Sequence, residues 1–186
     1  MFTYQKMLLF PVNIKKKDLK MARNLLTQYG GPDGELGAAL RYFNQSFTMP
    51  DERGKALLID IATEELGHVE MINAMICDLT RGATIEELKE AGLEGYYAQR
   101  GNDHYPTDNN GVPFQATFGS VGSVIANLYE DMAAEKKAKA VYEHLMDLTK
   151  DEDVLDVLIY LREREIVHFA LFEELCKSYE QMNNEK

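Results

Sequence analysis

The chain carries only two cysteines, Cys77 and Cys176, each inside a helical pattern and neither with a CxxC partner. Thiolate-ligated metal sites and a disulfide framework are thereby excluded, and both side chains are expected to be small buried hydrophobes. Long apolar runs are scarce too. The longest, Met7 to Val12, is far short of the roughly 20 residues a spanning helix needs, and Pro11 interrupts it, so no membrane partner is expected. The N-terminus lacks a charged region followed by a long apolar core and a small-residue cleavage site, which predicts cytoplasmic synthesis without a signal peptide. Positive charge is also short: 20 Lys and Arg stand against 31 Asp and Glu, a formal charge of −11. Such a balance disfavours a phosphate backbone, and no nucleic acid partner is expected.

No stretch combines strict alternation with β-branched enrichment over a strand length. What the 186 residues do carry is helical periodicity, which predicts an all-α chain forming a single domain over residues 1–186. A chain of this size buries roughly 70% of its unfolded surface, enough for a core without disulfides or structural zinc. Helices are expected over Lys17 to Tyr29, over Asp33 to Phe47 after the Gly30-Gly31-Pro32 breaker, and, opened by Pro50-Asp51-Glu52, as far as Leu79. A short helix opens at a capping box, Thr84 to Glu87; longer ones cover Gly119 to Asp147 and, from a second box at Thr149 to Glu152, run to Gln181. Residues 95–118 hold Gly, Pro, Asn and Asp without helical period, a connection too long for an ordinary turn. One long crossover between the second and third bundle helices points to a ferritin-like four-helix bundle.

The apolar stripe Leu58, Ile61, Ile72, Met75, Leu79 passes through Glu65 and His68. In the last helix the stripe Leu158, Leu161, Phe172, Leu175, Tyr179 passes through Glu165 and His168, offset by one hundred residues. The same offset aligns Glu35, Ala38 and Tyr42 with Glu135, Ala138 and Tyr142, an internal repeat of two helical hairpins. Four buried carboxylates would each cost several kcal/mol without a compensating cation, and no Lys or Arg occupies these stripes. A metal pair is the natural compensator. One Glu from each of two helices with a Glu-x-x-His from each of the others is the dinuclear carboxylate pattern of such bundles. On the repeat alone, Glu165 is the counterpart of Glu65 and a candidate second bridging ligand. Glu64, Glu70, Glu163 and Glu173 lie off the stripes and are expected to be solvated, as is His144; His104 is expected at a surface or interface.

The runs Gly30-Gly31-Pro32-Asp33-Gly34-Glu35-Leu36 and Asp60-Ile61-Ala62-Thr63-Glu64-Glu65-Leu66-Gly67-His68-Val69-Glu70-Met71 resemble manganese catalases, as does Ala133-Ala134-Glu135 followed by Val141-Tyr142-Glu143. The short length and Tyr-rich loop resemble in particular the short spore-coat proteins of the CotJC type. This resemblance implies that Glu35, Glu65, His68, Glu135 and His168 bind two manganese ions, with Glu65 bridging. It further implies that Glu165 is an outer-sphere proton carrier, that the substrate is hydrogen peroxide, and that the protein resides in the spore coat. Some members set an Arg or Lys beside the metal pair, whereas Ala134 precedes Glu135 here. Carboxylate and imidazole ligands do not by themselves separate manganese from iron, so a di-iron oxidase or ferroxidase stays open, as does a structural coat protein with a stabilising metal site. The aromatic residues Tyr96, Tyr97, Tyr105 and Phe118 of the long loop predict a homo-oligomer or contacts with other coat proteins.

Overall fold

The computed structural model describes residues 7–94, 105–116 and 122–184; among these all regular elements are helices, and the lone β-type pairing is an isolated bridge between Thr107 and Pro113. Helix α1 (Leu19–Gly30) opens where the Asp18 carboxylate accepts the Met21 N–H at 2.9 Å, occupying an amide that the first turn leaves free. Its end is set by Gly31, whose N–H bonds to the Thr27 carbonyl at 3.1 Å. A Cβ at Gly31 would collide with that carbonyl, so glycine is what lets the chain bend here. Helix α2 (Glu35–Ser46) then restarts with Glu35 in its first turn.

Asp51 caps helix α3 (Glu52–Leu79) by accepting from the Gly54 N–H at 2.8 Å. Helix α4 (Ile85–Glu90) has the expected reciprocal capping box between Thr84 and Glu87. Helix α5 (Val124–Asp147) starts later than expected, because Gly122 adopts φ +72 and Ser123 supplies the cap. Helix α6 (Glu152–Asn184) is opened differently from the expected box: Thr149 accepts the Asp151 N–H, and the Asp151 carboxylate accepts the Asp153 N–H at 3.0 Å.

Helix α2 packs along α3, and α5 along α6; α1 lies on α3, and the hairpins meet through α1 and α2 against α5 and through α3 against α6. This is the ferritin-like arrangement, with α1 and α2 together forming the first bundle helix. Two apolar cores result. One joins Leu25, Met71, Ile72, Met75, Leu158 and Leu161; the other joins Leu58, Ile61, Leu128, Met132, Phe172 and Leu175. Between them lies a polar waist at the level of residues 65–68 and 165–168.

The middle of the long loop supports the bend. Thr107 is buried against Gly30, where a Cβ would sit 2.5 Å from the Thr107 nitrogen, and Arg23 Nε donates to the Asn109 carbonyl at 3.1 Å. Tyr105 is exposed. Tyr96, Tyr97, His104 and Phe118 lie outside the described residues. Among the described residues no helix is long and apolar enough to cross a membrane. Cys176 is buried as expected, but Cys77 is exposed, because Ile76 and Leu79 take the inward face of that turn.

Candidate metal centre

The waist is built from six side chains, none more than 2% exposed: Glu35 of α2, Glu65 and His68 of α3, Glu135 of α5, and Glu165 and His168 of α6. Residues three apart share a helix face, so each Glu-x-x-His presents both groups inward. The two imidazoles stack, with centroids 5.7 Å apart. Both turn Nδ1 toward Glu65: His68 Nδ1 is 2.6 Å from one of its oxygens and His168 Nδ1 is 2.9 Å from the other. Glu35 lies 3.5 Å from His68 Nδ1, and Glu135 lies 3.6 Å from His168 Nδ1. Glu165 stands slightly further out, 3.8 Å from His68 Nδ1.

Short as these distances are, both Glu65 oxygens, both ring nitrogens of each histidine, Glu135 Oε2 and Glu165 Oε1 lack an aligned hydrogen-bond partner. Buried polar atoms in that condition are costly, and here they converge on shared space rather than on one another. Two overlapping groups of four could each hold a cation: Glu35, Glu65, His68 and Glu165, and Glu65, Glu135, Glu165 and His168, with ligand atoms within 4.8 Å of one another in each. The residues thus fit a pair of ions, with Glu65 and Glu165 common to both positions. The donor set itself serves manganese and iron alike.

Charge in the metal-free cluster is unevenly distributed. Burial, followed by the Glu65 charge, raises the Glu35 carboxyl to about 7. Burial and then the charges of Glu35, Glu65 and Glu135 push Glu165 well above the carboxylate range. Burial acts on Glu65 in the same direction, but the positive charges of His168 and His68 outweigh it and hold Glu65 low. Burial opposes imidazolium formation, yet the neighbouring carboxylates, Glu65 first, raise His68 strongly and His168 to about 11. Two buried tyrosines complete the waist: Tyr42 donates to Glu135, and Tyr142 donates to Glu35.

One expectation is corrected. Glu64 is not a simply solvated residue: its side chain is 24% exposed, and its two oxygens face His68 Nε2 at 3.7 Å and His168 Nε2 at 3.3 Å. Arg164 donates to both of those oxygens through Nε and a terminal NH2 group. Burial works against ionisation of Glu64, but the adjacent His168 and His68 rings and the hydrogen bonds from Arg164 hold the carboxyl far below its ordinary value. The opposite charges at positions 64 and 164, related by the repeat, were the available signal. Glu70, Glu163 and His144 are exposed as expected, and Glu173 is partly exposed and paired with Lys177 at 2.9 Å.

A depression of about 260 Å³ between α5 and α6 reaches Glu135 and Glu165 from the surface, flanked by Lys136, Lys139, Ile166 and Phe169. A much smaller void beside it is lined by Glu35, Ala38, Tyr42 and Ala138, so the small alanines do leave space next to the carboxylates.

Comparison with known proteins places these features in a family. The family described as manganese containing catalase matches residues 1–186. Protein CotJC of Bacillus subtilis (strain 168) is 46% identical over 187 residues, covering 100% of this chain and 98% of that protein. A probable manganese catalase of Clostridium acetobutylicum is 34% identical over 177 residues, covering 94% of this chain and 79% of its own length. The crystal structure of wild-type KatB, a manganese catalase from Anabaena, superposes with a TM-score of 0.86 at 35% identity, covering 96% of this chain and 81% of that one.

Proposed function

The chain belongs to the manganese-containing catalase family, and we propose that it converts two hydrogen peroxide molecules into dioxygen and two waters at a dimanganese centre held by Glu35, Glu65, His68, Glu135 and His168. The carrying observation is the convergence of buried, unpartnered carboxylate and imidazole atoms from four helices on one waist. The choice of manganese over iron rests on the family. The resemblance to CotJC over the whole chain supports residence in the spore coat, with peroxide met at the spore surface.

Two manganese ions alternating between divalent and trivalent states would supply the two-electron chemistry that no side chain here offers. The protein's part is charge balance, positioning and protons. Oxidising one peroxide releases two protons and two electrons with dioxygen; reducing the second consumes two protons and two electrons as its O–O bond breaks. Glu65, between the two imidazoles, would hold both ions. Glu165 is assigned to proton transfer: its Oε1 lacks a hydrogen-bond partner, and it borders the depression through which a small solute would arrive. As the carboxylate it takes one of the two protons released in the first half-reaction, the other leaving to solvent, and it returns that proton in the second, when the other is taken back from solvent. Lys136 and Lys139 flank the approach.

Metal analysis of protein from its native source, combined with oxygen evolution from peroxide, tests this reading. About two manganese per chain with oxygen release supports it. Two manganese without oxygen release favours a coat protein whose metal site serves stability, and iron with ferrous oxidation favours the oxidase.

A further inference from the structure

We propose that Glu64 is a positioning residue for both metal positions at once: its single carboxylate, clamped by Arg164, is the shared hydrogen-bond acceptor for the Nε2–H groups of His68 and His168. This rests on the reading of the waist as a dimetal centre and extends it beyond the ligand set.

Both histidines direct Nδ1 into the cluster, which leaves Nε2 as the outward donor on each ring. Glu64 reaches one Nε2 at 3.3 Å and the other at 3.7 Å, each with a different oxygen. Neither contact is yet aligned as a hydrogen bond, and a small rotation of each ring with a shift of a few tenths of an ångström would make it one. An imidazole that ligates through one nitrogen is oriented by what its other nitrogen donates to, and loss of such an acceptor commonly costs 10–100-fold in metal affinity. Elsewhere that acceptor serves one ligand. Here one carboxylate serves two, so the orientation of the ring at one metal position is tied to the orientation at the other.

Arg164 makes the sharing workable. Its planar guanidinium takes both Glu64 oxygens, which fixes the carboxylate plane and balances the charge of a fifth carboxylate beside the four in the waist. Lys at this position would supply charge without the fork. Positions 64 and 164 correspond in the hundred-residue repeat, and the facing histidines do too. A carboxylate placed at 164 with an arginine at 64 would therefore present the same clamped acceptor from the other hairpin.

The test is a titration of the purified, metal-free full-length chain with manganese(II), followed by calorimetry and by the electron paramagnetic resonance signature of the coupled ion pair. Wild type, Glu64→Ala, Arg164→Ala and the exchange Glu64→Arg/Arg164→Glu are compared, with metal-free melting confirming that each is folded. The expected result is a 10–100-fold loss at both positions together in Glu64→Ala, a smaller loss in Arg164→Ala, and recovery of most of the affinity and the coupled signature in the exchange. Affinity in Glu64→Ala within twofold of wild type, a loss confined to one position, or an exchange variant no tighter than Glu64→Ala would each overturn the proposal. Failure of the wild-type chain itself to take up manganese would instead overturn the dimetal reading.

Discussion

The two hairpins of this bundle share a register but not a role. In the first, the bundle helix is broken between α1 and α2, and Glu35 stands in the first turn of a new helix; in the second, α5 is continuous and Glu135 sits mid-helix. Position 31 is the glycine that permits the bend, whereas position 131 is a buried aspartate held beside Gln45 and Arg41. Position 64 is a carboxylate and 164 a guanidinium. Glu65 lies between both imidazoles, whose charges hold its carboxyl low, while Glu165 lies farther out and burial pushes its carboxyl well above the usual range. A duplicated scaffold thus yields two chemically different carboxylates through a few changes in their surroundings. Symmetry places the groups, and its local failures divide the labour.

The strongest way to break the comparison is to treat Glu65 and Glu165 alike. Glu65→Ala is expected to remove most bound metal, because a carboxylate between the two histidines serves both positions. Metal per chain should fall from about two to well under one, and the rise in melting temperature on adding manganese should vanish. If Glu65→Ala kept two metals, the bridging assignment would be wrong.

Most of this site is legible in the sequence because it sits in phase with the core. Glu65 and His68 interrupt an apolar stripe whose period continues on either side, and the hundred-residue offset repeats that interruption at Glu165 and His168. The break before Glu35 is equally plain from Gly30-Gly31-Pro32. Glu64 is legible only faintly, through the opposite charges at the repeat-related positions 64 and 164, for a physical reason. Whether a residue one step off a core stripe meets water or a neighbouring helix depends on how closely α3 and α6 approach, and its partner Arg164 is far away in sequence. Cys77 fails the other way: a small apolar residue in a helical run looks buried until the neighbouring Ile76 and Leu79 claim the inward face. The bend adds a third case, since the docking of Thr107 on Gly30 joins segments that no local pattern connects.

Glu165→Gln sharpens the same pair. The amide keeps the shape and removes the titratable proton, so close to two metals per chain should remain while turnover falls roughly 100-fold or more, the usual scale for a lost acid–base group. Loss of metal along with activity would show that Glu165 is a ligand like its counterpart, and unchanged turnover would remove the proton-carrier role.

The opposite protonation preferences of the two carboxylates give a pH prediction for the metal-free chain. A carboxyl raised in the folded state favours folding below its unfolded value and costs stability as pH rises through the folded value. For Glu35 that window runs from 4.5 to about 7, and Glu165 extends it upward. The histidines act in the same direction: their contribution is full below 6.5 and is lost as pH climbs toward about 11 for His168. Glu64 and Glu65, held low, contribute above 4.5 and lose that contribution as pH falls. The metal-free protein should therefore be most stable in mild acid and lose on the order of 2–3 kcal/mol, roughly 5–10 °C in melting temperature, by pH 8. Manganese should cancel that loss, and Glu165→Gln should flatten it without metal. A metal-free melting temperature that rises between pH 5 and 8 would contradict the assignment of raised carboxyls.

The smallest effect separates the two tyrosines. Tyr42 stands in one apolar core, beside Phe172, and donates to Glu135; Tyr142 stands in the other and donates to Glu35. Replacing either with Phe leaves the packing nearly intact and strips one hydrogen bond from a buried carboxylate of the proposed ligand set, an expected loss of about 1.5 kcal/mol or tenfold in metal affinity. The two losses should differ. Glu35 lies in the first turn of α2, where the unpaired amides and the helix dipole favour a negative charge by about 0.3–1 kcal/mol, and so depends less on its tyrosine. Glu135, in the interior of α5, has no such support. Manganese titration should accordingly find Tyr42→Phe weakened about tenfold and Tyr142→Phe only about threefold. Equal losses would mean that the break between α1 and α2 shapes the backbone without contributing to the electrostatics of the ligand it presents.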